Sequence, residues 1–376
     1  MKEEKVLDGV SFAIGYTQGK QSGLSGFHRV RYFNDDRTTL LYTVFVPTGE
    51  NAMYAGGWPK SANGVAAFRG FEPSAENVTS DLDCYAVYDS ITTLDETPWA
   101  DISAISESGQ AQNYFAIGDE KEVFGSSTVG TLGVGEGLRA YIIGFDHNEE
   151  FEGKGIHFGT FKNKDGVNVC LVDSNRGMLM SGGKLAFNIN HWTSESGSEF
   201  GGWGGCDLRY DILGSTDQAP SGYGGKTTEG RTGYDPTPNC TKNPVPGTLM
   251  AALPLELRSA MKPMTKYTDN SGNASNSEAA VTATIDYLPL LSPFEIIGDW
   301  SYSNQYEQYK QKQYPYFNSS GRRKKYSHKA PSTAVEWWLR SQSNNTVNAF
   351  TCGSTSGSYT TKALKYSYGL APIFKV

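Results

Sequence analysis

The sequence predicts an α+β protein in two parts, a small all-β domain followed by a larger domain with long loops. Short runs rich in β-branched and aromatic residues, such as residues 39–46, recur along the chain and are typical of strands. Residues 193–247 consist largely of Gly, Ser, Thr, Asn and Pro, which indicates long loops. The chain has 376 residues, and a single core stops growing at roughly 250–300 residues, which favours two domains.

The N-terminal part of the sequence predicts an arm followed by a small β domain. Residues 1–28 contain Gly and Ser at close intervals, which indicates an attachment arm or linker; a frayed terminus explains them equally well. Residues 29–92 hold short strand-like runs, including residues 84–88, separated by Pro and Gly turns. This pattern is similar to the small β-grasp or Ig-like spacer repeats of surface and tail proteins. A spacer requires only rigidity, so we assign it no chemistry.

Residues 93–376 are predicted to form the larger domain. Apolar residues at helical spacing in residues 94–108 predict a helix, and a second helix is expected at about residues 254–262. Residues 138–145 are almost continuously apolar, which is typical of a central strand buried on both faces. The run Tyr-Phe-Ala-Ile at residues 114–117 predicts a further strand.

Composition and charge exclude several classes of protein. Hydrophobic residues make up 38% of the chain and charged residues 19%, which argues against disorder. The net charge of −7 disfavours general nucleic-acid binding, which depends on neutralising phosphates. No apolar run approaches the roughly 20 residues of a membrane span, so membrane insertion is not expected. Residues 1–10 lack the apolar core of a signal peptide, which predicts synthesis in the cytoplasm and release by lysis or within a particle.

Cysteine and histidine residues give no metal-site pattern. The five cysteines are widely spaced without a Cys-x-x-Cys pair, which indicates buried thiols in a chain folded in a reducing cytoplasm. No metal-ligand spacing such as His-Glu-x-x-His joins the candidate ligands, so structural histidines are the favoured interpretation. These candidate ligands are Asp146, His147, His157, Asp173 and His191. We predict no metal and no cofactor.

The C-terminal end of the chain combines two apolar segments with a polar segment between them. Residues 337–341 are Trp-Trp-Leu-Arg-Ser, and residues 366–374 are Tyr-Ser-Tyr-Gly-Leu-Ala-Pro-Ile-Phe. Residues 342–365 are mostly Ser, Thr, Asn, Gly and Lys. A core-forming frame around a permissive insert suits a binding surface. We therefore expect the frame to be buried and the side chains of the insert to form one exposed patch.

The two frame segments resemble the C-terminal signature of a domain found in prophage and gut-bacterial proteins. That domain has a C-type-lectin-like fold, related to the fold of formylglycine-generating enzymes. The resemblance covers about residues 100–376. Its further segments are residues 140–148, 171–175, 249–254, 261–270 and 302–314. Relatives with this fold include variable proteins of diversity-generating retroelements and receptor-binding tips of phage tails.

The resemblance implies recognition by a virion component rather than a defined reaction. It implies a C-type-lectin-like ligand-binding domain that binds a bacterial surface receptor, either a protein or a glycan. The implied partners are phage tail or baseplate proteins at the N-terminal region and two further copies of the chain in a homotrimer. Two alternatives remain open: an enzyme or sensor on a formylglycine-generating-enzyme-like fold, and a host-encoded surface adhesin.

The resemblance implies that the ligand-binding residues lie in residues 342–365, the segment that varies in retroelement-diversified relatives. The alternative interpretation of this segment is an ordinary polar hairpin. Within this segment they are Gln342, Asn344, Asn345, Asn348, Phe350, Ser354, Ser356, Ser358, Tyr359, Thr361, Lys362 and Lys365. Trp203 and Tyr223, from the Gly-rich loops, are expected to join them. Tyrosines in residues 302–316 are expected to lie mostly on one packed helical face, with some at the binding surface.

No catalytic residue is predicted. The Gly-x-Ser-x-Gly elbow is absent, and Cys352 is the only cysteine in the polar segment, where formylglycine-generating enzymes need a reactive pair. The sequence also lacks the Glu-Pro-Asn and Gln-Pro-Asp triplets of calcium-dependent lectins. A basic cluster at residues 322–325, with His328 and Lys329, has two interpretations: contacts to anionic glycans or lipopolysaccharide phosphates, or a solvated loop.

Overall fold

We describe the protein from a computed structural model, in which two compact units, Met1–Thr92 and Thr93–Val376, can be distinguished. Helices and several small sheets make the chain an α+β protein. The structure describes residues 26–62, 66–91, 93–123, 127–129, 132–134, 138–170, 202–206, 208–217, 239–246, 248–272, 274–328, 330–346, 349–363 and 368–376.

Unit 1 contains a four-stranded sheet with the order β2-β1-β4-β3. Its strands are β1 (Phe27–Phe33), β2 (Leu40–Pro47), β3 (Ala67–Glu72) and β4 (Leu82–Asp89). Strand β1 runs antiparallel to β2 and parallel to β4. The alternating side chains Val30, Tyr32 and Cys84 face a small apolar core, as the period of two in a strand requires. Strand β1 begins at Phe27, whereas residues 1–25 of the predicted arm lie outside the described residues.

Unit 2 contains small sheets connected by irregular segments. Its strands are β5 (Glu120–Glu122), β6 (Ser127–Val129), β7 (Leu132–Val134), β8 (Arg139–Phe145), β9 (Ile156–Lys162), β10 (Val169–Cys170), β11 (Met264–Asp269), β12 (Val281–Asp286), β13 (Lys325–Ser327), β14 (Ala334–Val335), β15 (Trp337–Gln342), β16 (Ala349–Gly353), β17 (Tyr359–Ala363) and β18 (Ile373–Lys375). The sheets have the orders β18-β9-β8-β5, β10-β13-β14, β15-β16-β17, β11-β12 and β6-β7.

The helices of unit 2 are short. They are α1 (Trp99–Ser108), α2 (Glu149–Glu152), α3 (Gly202–Gly205), α4 (Leu249–Ala252), α5 (Leu255–Ala260), α6 (Pro293–Ile297) and α7 (Ser320–Arg323). A π-helical turn covers Leu208–Ile212, and 3₁₀ turns cover Ala111–Asn113, Glu278–Ala280, Gln305–Tyr309 and Pro315–Phe317.

Local sequence signals explain most of these elements. The predicted strand at residues 138–145 is confirmed as β8, whose five middle residues are all buried. The predicted helix at residues 94–108 is confirmed as α1, which begins after Pro98 and ends at Gly109 in the left-handed region. The strand predicted at residues 114–117 is wrong. The Asp119 carboxylate accepts a hydrogen bond from the Ala116 N–H at 2.8 Å, so the chain turns here instead of extending.

The core of unit 2 gathers side chains from distant parts of the chain. Residues of β8, β15 and the C-terminal β18 lie in one buried cluster: Tyr141, Ile143, Trp337, Leu339 and Ile373. Strand β18 pairs with β9, which places the C-terminal segment inside the sheet β18-β9-β8-β5. The frame residues around the polar insert therefore belong to the centre of the unit.

The predicted burial of the frame is confirmed for residues 337–341 and 369–374, whereas Tyr368 is half-buried and residues 366–367 lie outside the described residues. Trp337, Trp338 and Leu339 are at most 1% exposed. The Trp338 N–H donates to the Gly369 carbonyl at 2.9 Å, and the Gly369 N–H donates to the Glu336 carbonyl at 2.9 Å. These bonds hold the two ends of the polar insert together. Gly353 lies opposite Trp337 in the β15–β16 pair, where any side chain would collide with the indole ring.

Candidate functional site

A buried ion-paired network lies under the polar insert, and Arg340 is its centre. Both terminal nitrogens of the Arg340 guanidinium donate to the Glu295 carboxylate, Nη2 at 2.9 Å, in a bidentate pair. The same guanidinium donates to the Leu290 carbonyl at 2.8 Å and to the Thr268 hydroxyl at 2.9 Å. Arg340 is fully buried, so these acceptors replace the water it would otherwise bind.

Lys266 extends this network toward α2. Its ammonium lies 2.7 Å from a Glu152 carboxylate oxygen and 2.9 Å from a Glu295 carboxylate oxygen. Burial raises the pKa of Glu152. Burial opposes ionisation of Glu295 as well, but the charges of Arg340 and Lys266 outweigh it and lower the Glu295 pKa to about 2. The Glu295 carboxyl group therefore stays ionised near neutral pH.

Two histidines and a tyrosine complete the buried network. The His157 Nδ1 lies 2.9 Å from the Tyr314 hydroxyl, and the His147 ring stacks on the Tyr314 ring with centroids 3.6 Å apart. Burial, followed by the charge of Lys266, lowers the pKa of His147 to about 4. Both histidines are therefore neutral core residues near pH 7. Among the described residues, no group of three or more His, Cys, Asp or Glu side chains is placed to hold a metal ion.

A further buried carboxylate, Glu307, anchors the irregular residues 299–309. It accepts hydrogen bonds from the Asp269 N–H at 2.8 Å, the Ser341 hydroxyl at 2.6 Å and the Gln311 amide at 3.2 Å. Burial raises the pKa of Glu307 to about 7, although the hydrogen bonds oppose this shift. The Asp269 carboxylate in turn accepts from the Asn304 side chain at 2.9 Å. Residues 299–309 are thus attached to β11 and β15.

The anchored segment presents aromatic side chains to solvent. Tyr302 is 43% exposed and Tyr309 is 68% exposed, whereas Tyr314 and Tyr316 are buried. The expectation that these tyrosines share one helical face is wrong, because two separate 3₁₀ turns divide the segment. Only the N-terminal tyrosines of the run are available to a ligand.

Direct contacts join this aromatic segment to the polar insert. The Asn344 side-chain amide donates to the Ser303 carbonyl at 2.8 Å and to the Ser301 carbonyl at 3.3 Å. The Tyr302 and Tyr359 rings meet edge to face with centroids 5.4 Å apart. We call the resulting surface the polar-aromatic surface. The name covers the exposed residues of both segments: Tyr302 and Tyr309 from residues 299–309, Asn345 and Thr346 from the turn between β15 and β16, and Thr355, Ser356 and Ser358 from the turn between β16 and β17, at the opposite end of β16.

Several predicted ligand-binding residues are at least partly accessible. Asn345, Ser356 and Ser358 are exposed, and Asn344, Ser354, Thr361 and Lys362 are half-buried. The Lys362 ammonium pairs with the Glu336 carboxylate at 2.8 Å, so its charge is already matched within the protein. The predicted residues Asn348, Lys365 and Tyr223 lie outside the described residues.

Four predicted ligand-binding residues are buried, and the expectation of one exposed patch over residues 342–365 is corrected accordingly. Gln342 and Phe350 are at most 1% exposed, because every residue of β15 and β16 is covered on both faces. Tyr359 is 8% exposed because its ring packs on Tyr302. Trp203 is fully buried and donates to the Asp286 carboxylate at 3.0 Å.

The cysteines offer no reactive group on this surface. Each of the five is buried, and none is in a disulfide. Burial raises the pKa of Cys352 well above its usual range, which keeps the thiol protonated. No helix in the described part of the chain is long and apolar enough to cross a membrane.

No local sequence pattern predicts the network below the surface. The strongest sequence signal for this network is Arg340, a charged residue between Leu339 and Ser341 in an otherwise core-forming segment. A buried charge requires a partner. The partner, Glu295, is 45 residues away in the sequence, so the spacing alone did not identify it.

Comparison with known proteins gives one family match. Residues 216–376 are similar to the family described as a domain of unknown function, DUF6273. The match includes Lys266, Glu295, Glu307, Arg340 and the polar insert, but it covers less than half of the chain. No curated protein matches the chain. No solved structure matches it either.

Proposed function

We propose that this protein is a receptor-binding display protein of a phage or prophage tail. Unit 2 would be a C-type-lectin-like domain that binds a bacterial surface receptor without chemical conversion of the ligand. Unit 1, with the predicted arm and the small β domain, would connect unit 2 to tail or baseplate proteins. The site of recognition would be the polar-aromatic surface.

One observation carries this proposal: an exposed surface of hydroxyl, amide and tyrosine groups rests on a rigid, fully buried ion-paired base. Tyrosine provides large contact area and a hydrogen bond at low entropic cost, while Ser, Thr and Asn adapt their hydrogen bonds to a ligand. The network of Arg340, Glu295 and Glu307 fixes the backbone beneath them. Substitutions on the surface leave this base intact, which is what a variable recognition surface needs.

We expect the substitutions Tyr302→Ala, Asn345→Ala and Ser356→Ala, combined in one variant, to abolish binding to receptor-bearing bacteria. Ser356 makes only an exposed contact, with the Ser354 hydroxyl, so its loss should change the free energy of unfolding by no more than about 0.5 kcal/mol. Asn345 accepts a hydrogen bond from the buried Ser343 hydroxyl at 2.9 Å and the Tyr302 ring packs on Tyr359, so each of these two substitutions should cost about 1 kcal/mol. The test pairs a cell-binding assay with a thermal melt.

The matched control combines Tyr114→Ala, Asn243→Ala and Ser80→Ala, which remove the same three groups from exposed positions elsewhere. Tyr114 is 40% exposed, close to the value for Tyr302. The control should bind cells like the wild type. Normal binding by the first variant would place the receptor site elsewhere, and its unfolding would assign these residues to the fold.

We also propose a homotrimer. A tail tip with modest affinity at each site gains roughly 10²–10⁴ in avidity from linked copies. Light scattering of the full chain should therefore give about three times the monomer mass of 41.0 kDa. A monomer at micromolar concentration would contradict the trimer without contradicting ligand binding by a single site.

A further inference from the structure

Residues 308–335 form a basic stretch within an acidic chain. The stretch contains no Asp or Glu, and Glu307 and Glu336 mark its two ends. Its cations are Lys310, Lys312, Arg322, Arg323, Lys324, Lys325 and Lys329. The whole chain carries a net charge of −7, so this stretch is opposite in sign to the chain as a whole.

Helix α7 and the next residue hold three of these cations at the surface. Arg322 is exposed, and Arg323 and Lys324 are half-buried. The Arg322 guanidinium lies 4.9 Å from the centre of the Tyr316 ring and donates to the Tyr316 carbonyl at 3.3 Å. Arg323 Nε donates to the Phe317 carbonyl at 2.9 Å.

The charges of these three residues are not matched by any carboxylate in the described part of the chain. The ion pairs of unit 2 there involve other cations, among them Lys154, Arg139, Lys262 and Lys362. Carbonyl oxygens fix one nitrogen of each arginine and leave the remaining N–H groups of the guanidinium available.

The basic residues are continuous with the polar-aromatic surface. The turn between β16 and β17 is closed by a hydrogen bond from the Gly357 N–H to the Ser354 carbonyl at 3.0 Å. Gly357 has φ +84°, and a side chain there would collide with the backbone carbonyl of Ser320. The turn therefore lies directly against the start of α7. The exposed hydroxyls of Thr355, Ser356 and Ser358 are therefore neighbours of α7, which carries Arg322 and Arg323.

We infer that this combined surface binds an anionic polymer whose hydroxylated units are joined by phosphodiester groups. The inference rests on the proposed function and names the chemical class of its receptor. The planar guanidinium of Arg322 matches phosphate oxygens, and Lys324 adds a second positive charge nearby. The hydroxyls of the turn and Tyr302 suit the polyol or sugar units between phosphates. The acidic remainder of the protein restricts anion binding to this patch.

The test measures binding of the full chain to purified poly(glycerol phosphate) at about 50 and 200 mM salt. The wild type should bind the polymer. Higher salt should weaken this binding, because contacts to phosphate release counterions from the polymer and added salt opposes their release. The variant Arg322→Gln/Lys324→Gln should bind about tenfold more weakly or worse, with a shallower salt dependence. The control Lys164→Gln/Lys242→Gln makes the same change in net charge at exposed positions and should stay within about twofold of the wild type.

Three results would overturn the inference: no binding by the wild type, unchanged binding by the Arg322→Gln/Lys324→Gln variant, or equal losses in both double variants. Two further assays measure binding of the full chain to a single-stranded oligonucleotide and to phosphatidylglycerol vesicles. Stronger binding to either than to the polymer would replace the proposed ligand class by a nucleic acid or a membrane. A thermal melt of each variant separates loss of contact from loss of fold.

The same variants distinguish this inference from the proposed function. If Arg322→Gln/Lys324→Gln binds bacteria normally while the Tyr302/Asn345/Ser356 variant does not, receptor binding stands and the polymer is not the receptor. If the wild type binds the polymer but no bacteria, the anion site stands and the proposed function fails.

Discussion

Arg340→Ala is expected to lower the free energy of unfolding by about 3–5 kcal/mol, because it leaves buried anions and carbonyl groups without their donor. The substitution removes four donated hydrogen bonds at once, two of them to Glu295. Lys266 still neutralises part of the Glu295 charge. Urea unfolding followed by tryptophan fluorescence measures the loss in unit 2, since every tryptophan except Trp58 lies in that unit.

Two further variants isolate the ionic part of this effect. Arg258→Ala removes a half-buried arginine that donates to the carbonyl oxygens of Leu253 and Thr241, and it should cost less. The double variant Arg340→Met/Glu295→Gln removes the cation together with the anion. It should cost less than the sum of its single substitutions, because contacting residues in one network are coupled by roughly 0.5–3 kcal/mol. A cost below about 1 kcal/mol for Arg340→Ala would mean that the network contributes little.

Strong local signals made parts of the fold predictable from the sequence. The continuous apolar run of β8 and the adjacent tryptophans of β15 correspond to positions buried on both faces. Pro98 and Gly109 delimit α1 because each has a backbone preference that suits a helix end. In each case the information lies within a few neighbouring residues, so no tertiary contact was needed to interpret it.

The site was less predictable because exposure depends on what covers a strand. Residues 349–353 of β16 include polar Thr351, and the polar insert as a whole suggested an exposed segment. All five residues are nevertheless buried, since β16 lies between β15 and β17 and both of its faces are covered. Asn345 and Ser356 are exposed because they lie in the turns beyond the strand ends. Whether these exposed residues touch a ligand stays a prediction.

Long-range pairing explains the remaining differences. The contact between Asn344 and residues 301–303 joins two segments about forty residues apart and creates the polar-aromatic surface. Neither segment contains a pattern that specifies the other. The same holds for Arg340 and Glu295, whose partnership depends on the path of the intervening chain.

The stability of the wild type relative to Glu307→Gln is expected to fall by about 3 kcal/mol as pH rises from about 4.5 to about 7. Burial raises the Glu307 pKa from its ordinary value of 4.5 to about 7. Between these values the folded protein retains a proton that the unfolded chain releases. A raised carboxyl pKa therefore stabilises the folded state below pH 4.5, and this contribution is lost as pH approaches 7. Well above pH 7 both states are ionised and the difference becomes constant.

The measurement is the difference in unfolding free energy between the wild type and Glu307→Gln at several pH values, which cancels the titration of all other groups. Glu278→Gln removes a carboxyl group from an exposed position and controls for the change in net charge. A difference independent of pH between 4.5 and 7 would contradict the raised pKa. It would mean that the hydrogen bonds from the Asp269 N–H, the Ser341 hydroxyl and the Gln311 amide keep the Glu307 carboxylate ionised. The effect of these hydrogen bonds on the Glu307 pKa would then outweigh the effect of burial.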